Sequence, residues 1–218
     1  MKASLDTNVI IHMYRAGKQE FLFQLFEEIY VYEQIIDVEL KHHGEDIVPL
    51  VLGDIDSGRI KKIDDAFLQN HSVLGLFREY VHDYAILFQP QDLGEVNAIS
   101  LARVLEISAI VTDDIKIGGP YRSLLEFVDY FVRPLTFTEV LLILFIGGYL
   151  DTDETIDAFY HINTMSNLNW SFQSKIREFV QRFNTDPLQE DDRLWMRGYC
   201  TDHDVSFKER ISKLLKGL

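Results

Sequence analysis

Residues Gln91–Ile115, QDLGEVNAISLARVLEISAIVTDDI, indicate the fold class because they contain a helix pattern followed directly by a strand pattern. Apolar residues recur at helical spacing in the first part, which predicts a helix over 92–106. The short run Ala109–Thr112 then predicts a strand that is buried on both faces, as in a parallel sheet. A helix followed by such a strand is the repeating unit of α/β proteins.

The acids of this stretch should lie together at one edge of the predicted sheet. In an α/β sandwich a helix begins at the edge where the preceding strand ended, and the next strand ends at that same edge. Glu95 lies in the first turn of the helix, and Asp113 and Asp114 follow the strand. Open parallel sheets place their ligands at this edge. We interpret Asp92 as the helix N-cap rather than as part of the site.

Two earlier acids follow the same pattern. Asp6 comes directly after the short strand Ala3–Leu5, and Glu39 lies one to two turns into a helix that follows the strand Ile29–Tyr32. The alternation of strands and helices predicts a three-layer α/β/α sandwich with a central, mainly parallel sheet.

The remaining strand and the domain limits are read from the same patterns. A last strand is predicted around 130–132, and amphipathic helical stripes continue to the end of the chain. We therefore predict an α/β domain over 1–148 and a helical extension over 149–218.

Carboxylates held within a few ångströms of one another repel unless a cation neutralises them. Mg²⁺ and Mn²⁺ favour such oxygen-rich ligand sets, and phosphoryl transfer is the chemistry that commonly uses them. The catalytic and metal-ligating candidates are therefore Asp6, Glu39, Glu95 and the pair Asp113 and Asp114. One member of that pair is expected to be a turn residue, and the sequence leaves open which one.

Composition limits the classes of function. The chain has 218 residues, of which 47% are hydrophobic, enough for one sizeable core and a small appendage. The formal net charge of −14 argues against broad electrostatic attraction to nucleic acid or to an anionic membrane. The single cysteine, Cys200, fits a reducing compartment, and the N-terminus lacks the pattern of a signal peptide. We expect a cytoplasmic protein that does not associate with membranes.

Four separate stretches resemble the acidic motifs of PIN-domain ribonucleases. Ser4–Ile11 (SLDTNVII) resembles the opening of that family, and Ile36–Leu40 (IDVEL) resembles its second acidic position. Leu93–Ala102 (LGEVNAISLA) with Val111–Asp114 (VTDD) resembles the third and fourth. The motifs occur in the family's order over roughly residues 1–148.

The resemblance implies a Mg²⁺- or Mn²⁺-dependent endoribonuclease with a PIN-like fold. Carried over by position, it implies metal ligands at Asp6, Glu39, Glu95 and either Asp113 or Asp114. It also implies that Asn8 supports the first acid.

The implied substrate is RNA. The resemblance is also compatible with a toxin–antitoxin role, in which a protein inhibitor binds the nuclease, and with a homodimer. The alternative is a catalytically inactive PIN-like scaffold that binds RNA or protein. A phosphatase with an aspartate nucleophile is disfavoured, because it needs a second aspartate where Asn8 stands.

Overall fold

A computed structural model describes residues 1–87, 93–116, 119–126 and 132–218. The chain divides into two compact units, Met1–Phe137 and Thr138–Leu218. The division falls eleven residues before the domain limit expected at residue 148, so the apolar helix at 138–146 belongs to the second unit.

The first unit is built on a five-stranded, all-parallel sheet, which confirms the predicted α/β sandwich. The strand order is β3-β2-β1-β4-β5. The strands are β1 (Lys2–Leu5), β2 (Glu28–Tyr32), β3 (Ile60–Ile63), β4 (Ala109–Val111) and β5 (Arg133–Leu135). The central strands are almost entirely buried, as strands covered on both faces by helices should be.

Eight α-helices of this unit connect the strands within the described residues. They are α1 (Thr7–Arg15), α2 (Glu20–Leu25), α3 (Leu40–His43), α4 (Val48–Asp56), α5 (Asp65–Asn70), α6 (Leu74–Leu87), α7 (Leu93–Val104) and α8 (Pro120–Glu126). Helix α7 packs on β1, β2 and β4, and α6 packs on α7. This packing holds the start of α7 at the centre of the sheet.

The strand order reverses between β1 and β4, which is where open parallel sheets form a crevice. From β1 the chain moves outward to β2 and β3, then returns to place β4 on the other side of β1. The backbone N–H of Asp6 continues the pairing by donating to the carbonyl of Val111 at 3.0 Å. Residues that follow β1 and β4 therefore start at this crevice.

Two local predictions need correction. The helix predicted to carry Glu39 begins with a π-helical turn, Ile35–Glu39, before α3. The last strand, β5, begins at Arg133 rather than around 130, and residues 130 and 131 lie outside the described ranges. Pro134 argues against a strand in the sequence, but β5 is an edge strand, where a residue without an N–H is tolerated. Asp92 also lies outside the described residues.

The second unit is helical within the described residues. It contains all but the first residue of α9 (Phe137–Ile146), then α10 (Thr152–Met165), α11 (Phe172–Val180), a π-helical turn (Gln181–Thr185), α12 (Glu190–Asp202) and α13 (Phe207–Gly217).

A capping box opens α10, since Asp151 and Glu154 exchange hydrogen bonds with each other's backbone. Helix α9 is apolar on every side, and later helices bind its C-terminal carbonyls. Tyr199 donates to the carbonyl of Ile143, and Arg210 Nε donates to that of Phe145. No helix in the described part of the chain is long and apolar enough to cross a membrane.

Candidate functional site

Asp6 lies at the crevice between β1 and β4 and caps helix α1. Its Oδ2 accepts hydrogen bonds from the backbone N–H of Asn8 at 3.4 Å and from the hydroxyl of Thr112 at 3.2 Å. Thr112 directly follows β4, so this second bond ties the ends of the two central strands together. Asp6 is only 1% exposed.

Glu39 reaches the same place from the π-helical turn. Its Oε2 accepts a hydrogen bond from the hydroxyl of Thr7, and its Oε1 accepts one from Gln34 Nε2 at 3.1 Å. Thr7 is the first residue of α1 and adjoins Asp6. π-Helical turns are rare and frequently occur at functional sites.

The start of α7 supplies the third acid. Glu95 is only 3% exposed, and Gly94 before it approaches the Glu39 carboxylate closely. A Cβ at position 94 would lie 2.7 Å from Thr7 Oγ1 and 2.8 Å from Glu39 Cδ, which is too close for a side chain. Glycine at this position therefore lets the backbone of α7 meet Glu39.

These three acids line one pocket of about 180 Å³. The remaining lining residues are Thr7, Asn8, His43 and Gly94. His43 is the last residue of α3, and it also lies at the pocket. Asp6, Glu39 and Glu95 thus come together as predicted, from three segments separated by 33 and 56 residues.

The pocket disfavours negative charge. The pKa of Asp6 is raised from 3.8 to about 7, mainly by burial and also by the negative charge of Glu39. Hydrogen bonds from the backbone at Thr7 and Asn8 and from the Thr112 side chain act in the opposite direction. A cation in the pocket would favour ionised Asp6, because it would offset both burial and the charge of Glu39.

Asp113 is buried beside this pocket but does not line it. Its Oδ2 lies 2.6 Å from His12 Nδ1, and its Oδ1 accepts the backbone N–H of Phe137 at 2.9 Å. Both oxygens are therefore used to join the end of β4 to α1 and to Phe137, which lies two residues after β5.

Asp114 also lies outside the pocket lining. Its Oδ2 lies 2.6 Å from Lys116 Nζ, and its Oδ1 accepts the backbone N–H of Lys116 at 3.0 Å. Its own N–H donates to Thr112 Oγ1. Asp114 thus has the contacts of a turn acid. The link between the end of β4 and Asp6 is made by Thr112 instead.

The donor chemistry of the pocket fits Mg²⁺ or Mn²⁺, since carboxylate and hydroxyl oxygens predominate. In the conformation described, the Glu39 carboxylate binds Thr7 and Gln34. Among the described residues, no group of three or more histidine, cysteine, aspartate or glutamate side chains is arranged to hold a metal ion.

Sequence reasoning missed four residues that orient the acids: Thr7, Gln34, Asn97 and Thr112. Thr7, Asn97 and Thr112 stand inside the stretches that carry the family resemblance, so those stretches contained a signal for them. Gln34 had none, because its role depends on a contact with Asn97, 63 residues away. His12 was missed for the same reason, since its partner Asp113 is 101 residues away.

Comparison of this chain with protein-family models, with curated proteins and with solved structures gives no match.

Proposed function

We propose that this chain is a divalent-metal-dependent endoribonuclease that hydrolyses RNA phosphodiester bonds in the cytoplasm. The proposal depends on one observation: Asp6, Glu39 and Glu95, from three distant segments, line a single pocket at the reversal point of a parallel sheet. Negative charges grouped in this way repel one another, so the arrangement is unfavourable unless a cation offsets the repulsion. The resemblance of the surrounding motifs to PIN-domain ribonucleases supports the same function.

Asp6, Glu39 and Glu95 would hold Mg²⁺ or Mn²⁺. The bound ion would polarise the phosphoryl oxygen and lower the pKa of the attacking water. Thr112 and the first turn of α1 orient Asp6, and Thr7 and Gln34 orient Glu39. His43 and Asn8 are exposed lining residues that can donate hydrogen bonds to the RNA backbone.

The direct test replaces each acid by its amide. Asp6→Asn and Glu95→Gln should each reduce Mn²⁺-dependent cleavage of a labelled RNA by about 100-fold or more, because each removes a charge from the pocket. Glu79→Gln, on the exposed face of α6, is the matched control and should cleave at the wild-type rate. Cleavage that persists in both pocket variants, or that is unaffected by a chelator, would contradict the proposal.

A catalytically inactive scaffold is the second candidate, and the hydrogen bonds at Glu39 favour it. Both oxygens of this carboxylate are bound by protein groups, and the raised pKa of Asp6 allows the pocket to lose a charge without a metal. A scaffold would bind RNA or protein with the same affinity with and without Mn²⁺ and would cleave nothing. Gel-shift and cleavage assays on the same RNA separate the two candidates.

A further inference from the structure

Two side-chain amides form a hydrogen-bonded chain that ends on Glu39. Asn97 Nδ2 donates to Gln34 Oε1 at 2.8 Å, and Gln34 Nε2 donates to Glu39 Oε1 at 3.1 Å. Asn97 is 7% exposed and lies on α7 two residues after Glu95, and Gln34 directly precedes the π-helical turn. We call Asn97 and Gln34 the amide relay.

The direction of the relay follows from the chemistry of its groups. An ionised carboxylate only accepts hydrogen bonds, so Gln34 must present its NH₂ group to Glu39. The Gln34 carbonyl oxygen then faces Asn97, which must in turn present its own NH₂ group. Each amide therefore has one orientation that satisfies both of its neighbours, and the orientation at Asn97 is linked to that at Glu39.

A glutamate has three side-chain torsions, and fixing them costs conformational entropy. The relay binds one oxygen of Glu39, and Thr7 binds the other. Since each carboxylate oxygen accepts about two hydrogen bonds or metal contacts, both oxygens keep acceptor capacity. The carboxylate is thus oriented while it can still act as a ligand.

We propose that Asn97 and Gln34 are positioning residues that set the orientation of the Glu39 carboxylate for metal binding. This role deepens the proposed function and depends on it for the metal step. The relay also links two acids of the pocket, because Asn97 shares α7 with Glu95. Neither residue lines the pocket or needs to touch RNA.

The sharpest test is Asn97→Asp, which changes one group that is not in contact with Glu39. The new carboxylate accepts hydrogen bonds only, so Gln34 then lies between two carboxylates and its NH₂ group can face only one of them. Either Gln34 turns and its hydrogen bond to Glu39 is lost, or its carbonyl oxygen is left facing a carboxylate without a donor. In metal-free protein, the side-chain amide NMR signals of Gln34 should shift.

The Kd for Mn²⁺, measured by calorimetry, should rise by about 10- to 100-fold, as is typical when a partner of a metal ligand is removed. Asn70→Asp adds the same charge at an exposed site at the end of α5 and should change neither reading. Gln34→Met removes the amide at a half-buried position and should weaken Mn²⁺ binding to a similar extent. If Asn97→Asp fails to fold, Mn²⁺ binding by Gln34→Met tests the positioning role by itself.

Unchanged Gln34 signals in a folded Asn97→Asp variant would overturn the relay. Unchanged Mn²⁺ affinity in Gln34→Met would overturn its positioning role. The NMR reading needs neither metal nor RNA, so it separates failure of the relay from failure of the proposed function. The wild type could bind no Mn²⁺ and cleave no RNA while the Gln34 signals shift as expected. That result would refute the proposed function and the metal role together, and it would leave the linked orientation of the two amides supported.

Discussion

At the scale of single residues, the pocket acids make opposing demands on stability and on function. Asp6 is buried next to Glu39, and burial raises its pKa to about 7. The protein therefore carries a group whose ionisation in the folded state is costly. Such costs are accepted at functional sites, where the charge is needed for chemistry.

The raised pKa makes stability depend on pH. Because the pKa of Asp6 is about 7 in the folded chain and about 3.8 when unfolded, its stabilising effect is complete below pH 4 and is lost as the pH rises through 7. Asp6→Asn does not ionise. In the presence of a chelator, this variant should therefore exceed the wild type in free energy of unfolding by about 2–3 kcal/mol at pH 8.

Urea denaturation at pH 8 and pH 4 measures this effect, and the difference between the two proteins should shrink toward pH 4. A variant less stable than the wild type at pH 8 would show that Asp6 is not destabilised by its surroundings. The variant is also expected to be inactive, so it separates stability from function.

Gly94 gives a second prediction at this scale. Gly94→Ala places a Cβ too close to Thr7 Oγ1 and Glu39 Cδ, so either the carboxylate or the start of α7 must move. We expect a loss of about 1–3 kcal/mol in the free energy of unfolding and weaker Mn²⁺ binding. Gly75→Ala, at an open position in α6, is the control and should be neutral or slightly stabilising. Wild-type Mn²⁺ affinity in Gly94→Ala would show that the close approach to Glu39 does not matter.

At the scale of secondary-structure elements, buried charges join the helices of the second unit. Arg182, in the π-helical turn after α11, lies 3.0 Å from Glu139 on α9 and 2.5 Å from Asp192 on α12. All three side chains are buried. The cation therefore holds two acids that would otherwise be left in an environment of low polarity.

Arg182→Met should destabilise the protein by roughly 3–5 kcal/mol, because it leaves Glu139 and Asp192 buried without this cation. Thermal and urea unfolding measure the loss, and Arg177→Met, at an exposed site one turn earlier on α11, is the control. A change below about 1 kcal/mol would mean that the acids find other partners or water. The rate of RNA cleavage per folded molecule of Arg182→Met should equal that of the wild type.

Sequence patterns predict elements well where local signals agree. The strands at Ala3–Leu5, Ile29–Tyr32 and Ala109–Thr112 stand within a residue of β1, β2 and β4, because runs buried on both faces have a distinct composition. Pro134 obscured β5, and the π-helical turn before α3 had no signal in the spacing of apolar residues. Topology then predicted that Asp6, Glu39 and Glu95 meet, because Asp6 follows a strand and the other two lie toward the starts of helices, which begin at the same edge of the sheet.

At the scale of the whole molecule, what sequence could not predict depends on contacts between distant segments. Asp113 follows a strand as Asp6 does, yet its oxygens bind His12 and the backbone of Phe137. Nothing near Asp113 in the sequence indicates these partners. The division of the chain at residue 137 also depends on distant contacts, because α9 binds helices that come 50 or more residues later.

The central claim is that Asp6, Glu39 and Glu95 together hold a divalent cation. Diffraction from crystals soaked in Mn²⁺, recorded for the anomalous signal of manganese, tests it most directly. We expect one or two peaks within about 2.5 Å of oxygens from these three side chains, and none in crystals of Asp6→Asn. A pocket without an anomalous peak at millimolar Mn²⁺, or a peak held by other residues, would contradict the account.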